Sequence, residues 1–172
     1  MHLLSFLFFF IAVNIDLRID CETRSPGTAS SKNVKRSPSS TQEVLNYIAR
    51  ACFHEIDASN PDKLTGFLRY LKKERKVSVV DIREGSIIFK LECGSLQILD
   101  ELWEDYSTGH LTEVAQMNLV TEDILKLFGL SSLKLTSNIK EEDYRDCRQR
   151  LETDAGKYGK NVVYLQQFRL RL

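Results

Sequence analysis

The residues of this chain that could do chemistry are three histidines, four cysteines and a few paired acids. His2, His54 and His110 stand far apart, and no HExxH, GxSxG, GxxxxGK or GxGxxG pattern occurs anywhere. Zinc-protease, nucleophile-elbow and phosphate-cradle chemistry therefore have no sequence basis here. His54 beside Glu55 has the composition of an acid–base pair, but it reads more simply as a half-exposed strand histidine. Glu104-Asp105 and Glu141-Glu142-Asp143 could in principle hold a cation. The second group opens a helix, where the dipole already favours negative charge. Cys21, Cys52, Cys93 and Cys147 lie at no zinc or CxxC spacing. They read as buried thiols, with two disulfides as the alternative if the product is exported. No catalytic, cofactor or metal residue is assigned.

Bulk composition narrows the partner class. Lys plus Arg (24) balances Asp plus Glu (24), so no overall field attracts phosphate backbones or acidic lipid, and nucleic acid is not expected as a partner. Hydrophobic residues at 42% suffice for one globular core within 172 residues.

The elements must be placed before any surface can be. Residues 1–21 begin with a nearly unbroken apolar run from Leu3 to Val13. Taken to Ile15, about thirteen helical residues reach some 20 Å, short of a roughly 30 Å hydrocarbon layer. The segment therefore reads as a signal-peptide-like leader, the one membrane contact expected. Residues 22–42, rich in Ser, Thr, Pro and Lys, read as a flexible linker containing the dibasic pair Lys35-Arg36. An α+β domain is expected over 43–151, and 152–172 as a tail whose Val162–Leu165 run could add an edge strand.

Within the domain, Val44, Leu45 and Ile48 suit a short helix, and Ala51–Ile56 reads as a first strand. Ser59-Asn60-Pro61-Asp62 caps a helix carrying Leu64, Phe67, Leu68 and Leu71 on one stripe. Basic residues Arg69, Lys72, Lys73, Arg75 and Lys76 close it as a solvated helix end. Val77–Cys93 is a hairpin around Gly85, with Ile82, Val80 and Ser78 expected opposite Ile87, Phe89 and Leu91 on the core face. Val77, Val79, Asp81, Ile88, Lys90 and Glu92 are then expected on the other face. A helix from Leu96 to Gly109 carries Trp103 as a core residue, and two shorter helical pieces follow. Leu133–Thr136 forms the last strand, and Glu141–Leu151 a closing helix. The order is that of a ferredoxin-like βαββαβ two-layer sandwich with extra helices.

The blocks Val79–Cys93, Leu102–Tyr106, Gly109–Leu111, Leu119–Asp123 and Ile139–Tyr144 together resemble the TRADD-like N-terminal domain family, over Ala51 to Leu151. The resemblance implies a non-catalytic α+β adaptor in apoptotic or innate-immune signalling. In the better-known adaptor of this type, the domain binds a TNF-receptor-associated factor largely through its sheet face. The pleat itself nominates Val77, Val79, Ile88 and Lys90 as partner-binding residues here, with a protein as partner and no small-molecule substrate. The leader favours the secretory pathway or the extracellular space and a secreted, disulfide-stabilised factor as the alternative. The resemblance implies a cytoplasmic setting.

Overall fold

The computed structural model describes residues 12–22, 38–56 and 66–169. Strand β1, Val13–Cys21, is built from a strict two-residue alternation. Val13, Ile15, Leu17 and Ile19 are at most 2% exposed, while Asn14 and Arg18 face solvent. Helix α1 spans Pro38–Ile56 and buries Val44, Leu45, Ile48, Ala49 and Cys52, a stripe of helical period laid on the sheet. A short α2, Gly66–Arg69, widens into a π-helical turn over Tyr70–Glu74. Then come β2, Ser78–Arg83, and β3, Ile87–Cys93.

Three helices follow: α3 (Leu96–Thr108), α4 (His110–Leu119) and α5 (Glu122–Leu127). Ser95 caps α3 through Ile98 N at 3.2 Å, and Gly109, at φ 85°, supplies the left-handed stop that a side chain would strain. Strand β4, Leu135–Asn138, and the long helix α6, Glu141–Arg169, complete the chain. No described helix is long and apolar enough to cross a membrane.

The sheet order is β2-β3-β1-β4 with every neighbouring pair antiparallel. That is the ferredoxin-like arrangement expected from the sequence, built with a different first strand. Ala51–Ile56 is the end of α1, because its apolar residues continue the helical stripe begun at Val44. The missing strand lies in the stretch read as leader. Only 1–11 of that leader, together with His2, lies outside the described residues, as do Lys35-Arg36 and the cap at 59–62.

Three boundaries also move. Helix α1 begins at Pro38, inside the expected linker. The last strand starts at Leu135 and not Leu133. The C-terminal run that could have been an edge strand is helical, part of α6.

The hairpin register differs from that expected in two ways, a turn two residues longer, which puts Ile82 opposite Phe89 and not Ile87, and a bulge. Arg83 pairs with Ile88, Ile82 with Phe89 and Asp81 with Lys90; Val80 is then skipped, so Val79 pairs with Leu91 and Ser78 with Glu92. One extra residue reverses the facing of everything before it. Val77 (1% exposed) and the half-buried Val79 therefore face the helices, while Ser78 and Val80 point outward. The expected open-face positions of Val77 and Val79, and the expected core positions of Ser78 and Val80, are both corrected by this single residue. Asp81, Ile88, Lys90 and Glu92 lie where the pleat argument put them.

Burying four aliphatic side chains of β1 is worth roughly 1.5–3 kcal/mol each, together as much as a typical domain's whole stability. A chain begun at Glu43 is therefore expected to show no cooperative thermal transition, whereas the full chain shows one. Leu17→Ala should lower stability by about 2–5 kcal/mol in urea denaturation. A Glu43 chain that melts like the full protein would show that β1 is dispensable.

Candidate partner-binding surface

The alternation of β1 and β3 places a set of polar side chains on the sheet face away from α1. Across the strands, Asp81, Lys90 and Asp16 stand in one row, and Arg83, Ile88, Arg18 and Asn138 in the next. Ser78, Glu92 and Asn14 form a third row. Arg83 Nη2 reaches over β3 to Asp16 Oδ2 at 2.6 Å, and its Nε lies 3.9 Å from Asp81. Arg18 Nε donates to Asp20 Oδ2 at 2.6 Å along β1. These side chains are 35–55% exposed, so each pair contributes at most about 1 kcal/mol and can exchange for a partner's charge at little cost.

Of the four residues nominated from the sequence, the structure brings Ile88 and Lys90 onto this face, each half-buried. Val77 and Val79 are on the other side of the sheet. Asp16, Arg18 and Arg83 join the face instead. Arg18 and Asp16 were missed because they fell in the supposed leader; the pattern Val-Asn-Ile-Asp-Leu-Arg-Ile was the signal that could have found them.

The approach to β2 is held by a buried polar cluster. Asp105 of α3, 7% exposed, accepts hydrogen bonds from the Tyr70 hydroxyl and from Arg75 Nε, and from Arg75 Nη2 at 3.0 Å. The π-helical turn lets Tyr70 and Arg75 reach this one carboxylate together, with Arg75 N closing onto Tyr70 O at 3.1 Å. Val77 N then bonds Leu71 O at 2.9 Å, and Lys76 adopts φ 55° to turn the chain into β2. So the acid pair Glu104-Asp105 divides, with Glu104 exposed and Asp105 structural. Arg75 leaves the basic cluster, while Arg69, Lys72, Lys73 and Lys76 remain at the surface. At the other end of the hairpin, α1 grips the turn. Arg50 pairs with both Glu84 oxygens at 2.9 and 3.0 Å, and Gly85 N donates to Asn46 Oδ1 at 3.0 Å.

The remaining reactive residues do not converge. His54 is exposed near the end of α1, and His110 is exposed at the start of α4, its ring edge-on to Tyr70. Among the described residues no three His, Cys, Asp or Glu side chains could hold a metal ion. Trp103 stacks on Tyr144 at 4.3 Å, joining α3 to α6 beside the core. None of the four cysteines is in a disulfide; Cys52, Cys93 and Cys147 are buried and Cys21 half-buried. Burial pushes the Cys93 thiol up to about 12 and, together with Asp20, the Cys21 thiol up to about 11. Such thiols are poor nucleophiles at neutral pH.

The described residues thus form a two-layer α+β sandwich with one polar sheet face left uncovered by its described helices. Residues 61–124, from before α2 to the start of α5, match the family profile of the TRADD-like N-terminal domain. The chain is 37% identical over 67 residues to Death effector domain-containing protein of Homo sapiens, covering 39% of this chain and 21% of that one. The Mus musculus protein of the same name gives the same figures. DNA-binding death effector domain-containing protein 2 of Mus musculus is 30% identical over 78 residues, covering 44% of this chain and 24% of the relative. The matches thus span less than a quarter of these relatives' length. No solved structure matches.

Burial, reinforced by Asp105, pushes the Tyr70 phenol up to about 12. The unfolded phenol ionises near 10 while the folded one keeps its proton, so this contribution is complete below pH 10 and lost as pH rises from 10 through 12. The loss runs in the same direction as that from Cys93. Tyr70→Phe is expected to flatten the decline of urea stability between pH 10 and 12. Asp105→Ala should cost about 3 kcal/mol at pH 7, since it strands Arg75. An unchanged alkaline slope in Tyr70→Phe would show that the phenol is not held in this way.

Proposed function

We propose that this chain is a non-catalytic adaptor module in apoptotic or innate-immune signalling, docking a protein partner on its uncovered sheet face around Ile88 and Lys90. The observation that carries the reading is the face itself: Asp16, Arg18, Asp81 and Arg83 surround a half-buried isoleucine, on a sheet whose other side is buried under helices. Interleaved charges of both signs give register and orientation to a docking protein, and they speed encounter more than they deepen affinity. The relatives are named as proteins that contain a death effector domain, which supports the signalling context. One relative's name also says DNA-binding. On this face Asp16, Asp20, Asp81 and Glu92 offset Arg18, Arg83 and Lys90, a balance that does not suit a phosphate backbone.

The test is an NMR titration of the 15N-labelled chain with a TNF-receptor-associated factor. Shift changes are expected at Arg18, Ile88 and Lys90, with affinity weakened several-fold between 50 and 500 mM salt. The double variant Ile88→Asp, Lys90→Glu should weaken binding at least about tenfold, the scale of a single interface hot spot, with circular dichroism unchanged. Equal affinity in the folded variant would remove this face from the reading.

A further inference from the structure

Strand β2 is an edge of the sheet, paired on one side only among the described residues. Along that edge, on the helix side, lie two hollows. The first, of about 110 Å³, is lined by Ile56, Leu68 and Val79 with Lys72 and Ser78 at its rim. The second is lined by Ala49, Phe53 and Ile82 with Arg50, His54 and Glu84 around it. Val80, 46% exposed, sits between them on the strand, and Phe53 is 48% exposed beside the second.

The spacing of the hollows is set by the bulge. Val79 and Ile82 are three residues apart in sequence, yet they pair with Leu91 and Phe89, which are two apart on β3. Val79 and Ile82, the β2 residues that line them, are therefore separated by one full pleat, about 7 Å. An extended chain added beside β2 presents its own side chains i and i+2 on the helix side at that same interval. Charge selects among such chains. Lys72 stands at the first hollow and exposed Lys76 at the entry to β2, whereas Arg50 and Glu84 neutralise one another at the second. Edge strands are blunted against pairing by bulges, prolines or charged side chains. Strand β2 has the bulge, but the residue exposed at it is an apolar valine.

We infer that the β2 edge is a second docking site, taking an extended acidic segment of another protein as a fifth strand. The segment has the form apolar-x-apolar, with acids flanking the apolar residue that fills the hollow beside Lys72. This site is separate from the open face, so either can fail alone.

The experiment uses the full chain and an array of short acetylated peptides with Val, Ile, Leu or Phe at positions i and i+2. Their flanking residues before position i are Asp, Ser or Lys. Fluorescence polarisation is expected to favour the apolar-x-apolar acidic peptides at least tenfold over Lys-flanked or i, i+3 versions. Lys72→Glu should reverse the preference towards Lys-flanked peptides. Val80→Asp should abolish binding, and amide exchange at β2 should slow when peptide is bound. Binding indifferent to spacing and charge would overturn the inference, as would perturbations confined to Ile88 and Lys90. So would sedimentation showing that β2 instead pairs with a second copy of this chain. Circular dichroism on both variants separates lost binding from lost folding.

Discussion

The sheet depends on β1 lying between β3 and β4. It pairs along Val13–Ile19 with β3 and along Arg18–Cys21 with β4, so it is hydrogen-bonded on both sides and buried on one face. Without it, β4 has no neighbour and β3 becomes an edge. An inner strand cannot leave water-excluded backbone groups unpaired, which makes this pairing obligatory. The same pairing brings Asp16 and Arg18 onto the open face, so the strand that completes the core also completes the proposed docking surface.

Two local irregularities shape what β2 presents. The π-helical turn gathers Tyr70 and Arg75 on Asp105, a buried charge satisfied by a cation and a hydroxyl together. Ordinary helical spacing would not aim both donors at one carboxylate. The bulge at Val80 then sends Val77 and Val79 inward and leaves the outward positions polar, apart from Val80 itself. Irregular backbone is costly, and both departures sit at the strand from which the two proposed contacts are made.

A face built from weak surface ion pairs behaves differently from an apolar one. Its pairs satisfy each other when no partner is present, which keeps the uncovered sheet soluble. Little is lost when a partner's charges replace them. That balance matches the reversible, salt-sensitive docking that the proposed function requires. The apolar content needed for affinity is concentrated at Ile88 and, on the edge, around Val80 and Phe53.

The ferredoxin-like class, and the hairpin with Ile82, Phe89 and Leu91 in the core, were legible in the sequence. Each follows from side-chain period. So was the outward placement of Ile88 and Lys90, which lie past the bulge. What only the tertiary structure decided were long-range matters. An apolar run reads alike as leader or strand until β3 and β4 are present to pair with it. Nothing in Ser78–Arg83 marks Val80 as the residue to be skipped, because a bulge is chosen by how two strands and the helices above them fit. Asp105 looked like half of an exposed acid pair because its partners, 35 and 30 residues away, meet it only when α2 packs against α4 and the π-helical turn is brought to α3.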